Sequence, residues 1–308
     1  MRLLRRLDAR SAAAGTYVAA IGGFDGIHLG HRELIRRARE LARSADHKSM
    51  VLSFEPLPKE YFAQGEPPGR LTSFRERWRL LEQNGPDVFC VLRFDAALRQ
   101  LDAAQFTTLL VTGGVRTIVI GHDFRAGYGG EASAQWFQAN GQRLGLAVEV
   151  MAPVMGEGLR IGSGAIRDAL AAGRLEQAAR LLGRPYSMRG RVVRGEQLGR
   201  RLGFPTANLR LARRRPPLDG IFAVRVRGVM AGRALDGVAS LGTRPTVGGI
   251  VPLLEAHVFD YAGDLYGREL EIEFVARLRD ELRFDDVAAM VAQMHRDAAA
   301  ARALLASG

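Results

Sequence analysis

Two histidines three residues apart, His28 and His31, close the stretch Ile21 to His31, IGGFDGIHLGH. The apolar run before it, Tyr17 to Ile21, suits a short buried strand. The run after it has helical period, with Leu34, Ile35, Ala38, Leu41 and Ala42 on one face. A glycine turn between strand and helix lets backbone come close to phosphates, and the helix N-terminus attracts negative charge. At i, i+3 spacing the two imidazoles can address one anion. They can then donate hydrogen bonds to the charge that builds when a nucleotide α-phosphate is attacked. Spacing alone leaves two other readings open, a metal pair and plain surface residues. The metal reading is the weaker, because the chain holds one cysteine and six histidines and has neither HExxH nor CxxC. GxxxxGKS/T and GxGxxG are absent as well.

Three further stretches carry residues able to do chemistry. In GRRLGFPTAN, Gly199 to Asn208, a glycine-flanked turn lets backbone approach a phosphate, and Thr206 with Asn208 offers two neutral oxygens suited to a magnesium–nucleotide site. Their i, i+2 spacing puts both on one face of an extended segment. A proline-containing loop with polar turn residues explains the same letters. Glu255, in LLEAHVF, lies in an apolar strand pattern, where a carboxylate needs a partner or a task. RIGSGAIR, Arg160 to Arg167, precedes helical patterns at Ile166 to Ala172 and Leu175 to Leu182. Ser163 suits an N-cap and Arg167 falls one turn in. The segment reads first as a capped helix with an exposed arginine, and second as a phosphate-binding helix terminus facing the histidine turn across the sheet.

The elements that must position these residues change character along the chain. From Tyr17 to about Leu182, strands at Ser49 to Phe54, Val88 to Arg93, Thr117 to Gly121 and Leu146 to Met151 alternate with helices at Phe74 to Asn84, Ala103 to Val111 and Ala132 to Leu144. Such alternation predicts an α/β, doubly wound, Rossmann-like parallel sheet. Ligands of such sheets sit beyond the strand C-termini, where GGFDGIHLGH, FEPLPKEYF and GHDFRAGYGG fall. After Gly183 and Pro185 come glycine- and proline-punctuated strands, Tyr186 to Val193, Ile221 to Val226, Val238 to Leu241, Leu254 to Phe259 and Leu270 to Leu278. They predict a small antiparallel β-barrel. A C-terminal helix from Asp285 presents Val287, Met290, Val291, Met294 and Ala298 on one face, with an alanine-rich end expected to fray. The chain of 308 residues thus divides into two domains, 1–183 and 184–308.

A net charge of +11 favours anionic partners, nucleotides and phosphorylated cofactors as well as nucleic acid. The arginines are spread, the densest cluster being Arg213 to Arg215 beside Pro216 and Pro217, and most are expected on solvated surface. Cys90, alone in an apolar run, reads as a core residue and excludes an internal disulfide framework. Arg5, Arg6, Asp8 and Arg10 break up the N-terminal apolar residues, and no stretch approaches membrane-spanning length. These features predict a cytoplasmic protein with no membrane partner, a monomer or weak homo-oligomer.

Taken in order, IGGFDGIHLGH, FEPLPKEYF, LTSFRERW, GHDFRAGYGG, LLGRPY, GRRLGFPTAN, GTRPTVGG, LLEAHVFDYAGDLYG and LRDELRF resemble the bacterial bifunctional riboflavin kinase/FAD synthetases, from about residue 17 to 285. The resemblance implies that the C-terminal barrel transfers the ATP γ-phosphate to the riboflavin 5′-hydroxyl. The N-terminal domain then adenylates FMN with ATP to give FAD and pyrophosphate. By matching motif, Glu255 would be the base, Thr206 and Asn208 would hold Mg2+, and Gly199, Arg200 and Gly203 would approach the ATP phosphates. Arg279 and Phe284 match the flavin-side segment. In the first domain His28 and His31 would stabilise the transition state. Gly22, Phe24, Asp25 and Gly30 would shape the ATP-binding turn, and Ser163 and Arg167 would bind phosphate oxygens. Asp123 and Phe124, in GHDFRAGYGG, match positions near the flavin. Riboflavin, FMN and ATP are the implied partners, and nucleic acid is not.

The sequence departs from that pattern at three places. The usual serine–serine–threonine run of the second phosphate motif reads Gly162, Ser163, Gly164; an asparagine usual in the first motif is Gly23; an aromatic usual after DFR is Ala126. Two lost hydroxyl donors, each worth ~1.5 to 3 kcal/mol to a charged group, would slow adenylation by about one to three orders of magnitude unless backbone or water replaces them. Three readings follow. The first is the two-step enzyme, and the second a riboflavin kinase whose N-terminal domain is weakened or kept for binding. The third, resting on charge alone, is a basic nucleic-acid-binding protein, and it lacks a recognition helix or RNP motif.

Overall fold

The computed structural model describes residues 1–308 apart from 157, 196–198, 200, 201, 214, 247, 248, 307 and 308, and describes 243–246 and 249–251 by backbone alone. Two compact units are formed, one from Met1–Pro68 with Arg75–Gly162, the other from Gly69–Phe74 with Ser163–Gly308.

The first unit is built on six parallel strands: β1 (Arg2–Leu4), β2 (Tyr17–Ile21), β3 (Lys48–Glu55), β4 (Val88–Arg93), β5 (Val115–Gly121) and β6 (Ala147–Met151), in the order β1-β4-β3-β2-β5-β6. The strands β2 to β5 read as near-continuous apolar runs because helices cover both faces. Every residue of β2 is buried, as are five of the six in β4. Cys90 is wholly inside, and burial pushes its thiol up to about 12. The strand order reverses between β2 and β5, so the turns leaving these two strands flank the switch point where ligands of such sheets bind. The N-terminal strand Arg2–Leu4 has no clear sequence signal; it is a short edge strand paired parallel to Val88, Phe89 and Cys90. The expected helix Ala132 to Leu144 is broken into Ala134–Asn140 and a 3-10 turn at Gln142–Leu144. At the break, a Cβ on Gly141 would stand 2.6 Å from the Leu146 carbonyl and 2.7 Å from that of Phe137.

The second unit is a closed antiparallel barrel of β7 (Ser187–Val193), β8 (Ala207–Leu211), β9 (Gly220–Met230), β10 (Arg233–Thr246), β11 (Gly249–Val258) and β12 (Glu269–Arg279), in the order β7-β8-β11-β10-β9-β12. Strand β8 was not among the expected strands, since its sequence ANLRL follows a glycine- and proline-rich turn. The C-terminal helix continues through the alanine-rich end, Val287–Ala306. Ala301 and Leu305 are buried with Ala223 and Phe259, while Val287, expected on the packed face, is exposed. The segment Gly69–Phe74 belongs to this unit, and Arg213, expected in a solvated loop, is buried against it. Its guanidinium donates to the Leu71 carbonyl at 2.8 Å, the Arg70 carbonyl at 3.2 Å and the Tyr186 hydroxyl at 2.9 Å.

Candidate functional site

In the first unit the chain leaves β2 and makes a turn with unusual backbone. Phe24 and Ile27 adopt φ of 48° and 44°, both fully buried, and Gly26 adopts 88°. Left-handed geometry at a β-branched residue is a rare and strained choice. Asp25 and His28 are buried in the same turn. His28 is the N-cap of the helix Leu29–Ser44, and its Nδ1 accepts a hydrogen bond from the His31 backbone N–H at 3.2 Å. Accepting there requires a lone pair on Nδ1, which in the neutral ring leaves the proton on Nε2. The His28 and His31 rings stack with centroids 3.6 Å apart, and Phe24 lies 4.9 Å from His31. Gly30 makes the stack feasible: a Cβ there would stand 3.2 Å from His28 Nδ1 and 3.5 Å from the Ile161 carbonyl. The spacing thus brings the two imidazoles together at the positive end of a helix, next to Ile161 of the second glycine–serine motif.

Gly22 donates to the Leu52 carbonyl at 3.1 Å. The Gly23 carbonyl accepts from Ser53 Oγ at 3.0 Å and from Arg77 Nη1 at 3.1 Å. Arg77 is fully buried and ion-paired with Glu55. After β5, Asp123 pairs with Arg160. Burial pushes the Asp123 carboxyl up, but the Arg160 hydrogen bond and charge outweigh it and hold it below the usual carboxylate value. Phe124 packs on the core beside Phe137, centroids 5.6 Å apart. Ser163 is the first residue of the helix Ser163–Ala171 rather than its cap. Arg167 donates from Nε to the Gly69 carbonyl at 2.6 Å, so it is half-buried and tied to that segment rather than extended from an exposed face. Both residues belong to the second unit.

The barrel contains a cavity of about 300 Å³. Thr206, Asn208, Glu255, Arg279 and Phe284, read from the sequence as separate motifs, all line it, as does Gly199. Asn208 and Ser240 are the cross-strand partners of Glu255. Thr206 Oγ1 lies 3.4 Å from Glu255 Oε2. The pleat therefore gathers three oxygen-bearing side chains around one carboxylate. Gly195 passes so close to Asn208 that a Cβ would stand 2.6 Å from its Oδ1. Gly203 turns with φ of 81° and is exposed; Arg200 lies outside the described residues. Arg279 makes a bidentate pair with the buried Asp297, Nε to Oδ1 at 3.0 Å and Nη2 to Oδ2 at 2.6 Å, and Gln293 Nε2 donates to Asp297 at 2.8 Å. Asp297 and His257 line the cavity too, and were missed. Asp297 is the one acidic residue on the inner face of an otherwise small and apolar helix pattern, which is a readable signal. His257 sits two residues after Glu255, on the same face of its strand, and Nδ1 lies 2.9 Å from the Pro205 carbonyl.

Apolar groups from Ile221, Leu282, Met290 and Met294 complete the wall. The cavity can therefore take a molecule with an extended apolar part and a hydroxylated part, and set a hydroxyl beside Glu255. Among the described residues no group of three or more histidine, cysteine or acidic side chains could hold a metal ion. A divalent ion here would rest on the neutral oxygens of Thr206 and Asn208 and on substrate phosphates, a donor set that suits Mg2+. No helix among the described residues is long and apolar enough to cross a membrane.

Comparison with known proteins matches both units. A family model for FAD synthetase covers residues 10–165, and one for riboflavin kinase covers 182–305. The bifunctional riboflavin kinase/FMN adenylyltransferase of Escherichia coli K12 is 41% identical, covering 98% of this chain and 97% of the relative. Its counterpart from Haemophilus influenzae is 38% identical over the whole of both chains. A solved structure described as a macrolide-efflux protein from Streptococcus pneumoniae shares the fold, with a TM-score of 0.80 and 30% identity over 96% of this chain and 97% of that one. The chain belongs to the bifunctional riboflavin kinase/FMN adenylyltransferase family.

Proposed function

We propose that this chain phosphorylates riboflavin to FMN in its barrel and adenylates FMN to FAD in its parallel-sheet domain. The functional boundary is placed at 183/184, near the start of the riboflavin kinase match at residue 182, whereas the compact units divide at 162/163. The observation that carries the first half is the cavity that Thr206, Asn208, Glu255, Arg279 and Phe284 line together. Glu255 accepts the proton of the riboflavin 5′-hydroxyl as that oxygen bonds to the γ-phosphorus and the bond to ADP breaks. Thr206 and Asn208 are the residues that would hold Mg2+. When bound, the ion neutralises charge on the transferring phosphates. Gly199, Arg200 and Gly203 bring backbone and charge to the ATP phosphates, while Arg279, held by Asp297, and Phe284 face the flavin.

In the second half, an oxygen of the FMN phosphate attacks the ATP α-phosphorus and pyrophosphate departs. His28 donates from Nε2 to the charge that develops, with His31 stacked beside it. Gly22, Phe24, Asp25 and Gly30 shape the surrounding turn, Ser163 and Arg167 bind phosphate oxygens, and Asp123 and Phe124 serve the flavin side. In this reading the chain acts in the cytoplasm on small molecules, as a monomer or weak homo-oligomer.

One observation favours a second reading, a kinase with a slowed adenylyl site. Gly162 and Gly164 stand in open space, with nothing within 4 Å of an added Cβ, where hydroxyl side chains are usual. Chromatography of FMN, ATP and Mg2+ with the purified chain, following FAD and pyrophosphate beside a His28→Ala control, separates the two. The two-step enzyme yields both products and loses them in the control. FMN made from riboflavin without any FAD would leave the kinase alone standing.

A further inference from the structure

Among the described residues Arg77 is the largest side chain that is completely buried, and neither half of the proposed chemistry uses it. A guanidinium is buried at a large desolvation cost unless its partners are well placed, so its position asks for a reason. It sits one turn into the helix Phe74–Asn84 and is ion-paired with Glu55 at the end of β3. Its Nη1 donates to the Gly23 carbonyl at 3.1 Å and lies 3.2 Å from Ser53 Oγ, whose hydroxyl donates to the same carbonyl at 3.0 Å. Gly23 is the residue before Phe24, where the left-handed backbone of the histidine turn begins. Strained residues of this kind persist only where their surroundings over-determine them. The turn ends at His28, the N-cap whose Nδ1 accepts from the His31 N–H.

We propose that Arg77 is a positioning residue for adenylyl transfer: by clamping the Gly23 carbonyl against β3 it holds the turn that aims His28 and His31 at the reacting phosphate. This rests on the reading of that turn given above. A displacement of about 1 Å at a catalytic group costs on the order of 10²-fold in rate, so a lost clamp acts on turnover and leaves substrate affinity largely in place.

The test uses the full chain as wild type, Arg77→Met, Arg77→Lys, His28→Ala and the Arg77→Met/His28→Ala double variant. In Arg77→Met, kcat for FAD formation falls about 10²-fold while KM for FMN and ATP stays within about twofold, and Arg77→Lys recovers part of the loss. Riboflavin phosphorylation in the same samples reports an intact chain. The double variant is no slower than His28→Ala, because residues acting as one unit are not additive. An unchanged kcat, a loss carried by KM, or a full further loss on top of His28→Ala would overturn the proposal. Should Arg77→Met fail to fold, Arg77→Lys and Ser53→Ala, which trims the second donor to Gly23, give the same split in milder form. Should the wild type make no FAD, the reading of the site fails separately. The clamp is then decided by NMR of the His28 and His31 ring signals, which move in Arg77→Lys if the clamp holds the turn, and whose constancy would refute it.

Discussion

The two units position their reactive groups by opposite means. In the barrel, Glu255, Asn208 and Ser240 are cross-strand neighbours on regular strands, so the pleat alone brings them together. In the parallel sheet, His28 and His31 stand at the end of a turn with two non-glycine residues in left-handed geometry, and a buried arginine fastens its start. Regular pairing distributes the work of positioning over a whole sheet. An irregular turn concentrates it in a few contacts, and single substitutions there should reach further.

The comparison is sharpest when one half is removed and the other kept. Glu255→Gln should lower riboflavin phosphorylation by about 10²- to 10⁴-fold, the usual contribution of a general base, with FMN adenylation unchanged; steady-state assays of the two reactions check this. His28→Ala should lower adenylation by about 10²- to 10³-fold, as for other donors to a developing oxyanion, and spare the kinase. Gly162→Ser with Gly164→Thr fills space that is open to it and should raise FAD formation by at least about tenfold. No rise would show that backbone or water already supplies those donors.

Two smaller effects concern stability. Leu305→Ala should destabilise the barrel by about 2–4 kcal/mol in denaturant unfolding, since Leu305 is buried at the packed end of the last helix. Arg160→Met should return the Asp123 titration, followed by NMR, upward toward its usual value. Because the pair depresses the folded carboxyl, whatever stability it lends is present above the ordinary carboxylate range and lost as pH falls through the folded value. With Asp123 57% exposed, water screens the pair and the effect is small.

Much of this was legible from residue order. Period-2 and period-3.6 patterns located the parallel sheet, the barrel and the last helix, and the i, i+3 histidines and i, i+2 Thr206 and Asn208 did come together. What stayed hidden depends on long-range partners. Arg77 and Arg213 look like ordinary surface arginines until the carbonyls of Gly23 and Leu71 are in place. The alanine-rich end of the last helix looked free because the residues that cover it, Ala223 and Phe259, lie far away in sequence. Asp297 stands out as an acid on an apolar helix face, but its partner, Arg279 of β12, cannot be read from residue order.

The most direct test of two separate chemistries in one chain is a time course of flavin species by chromatography, with riboflavin, ATP and Mg2+ supplied to wild type, Glu255→Gln and His28→Ala. Wild type should pass through FMN to FAD, His28→Ala should stop at FMN, and Glu255→Gln should leave riboflavin untouched yet convert added FMN to FAD. If either substitution abolished both steps in a chain that remains folded, the assignment of one reaction to each unit would be contradicted.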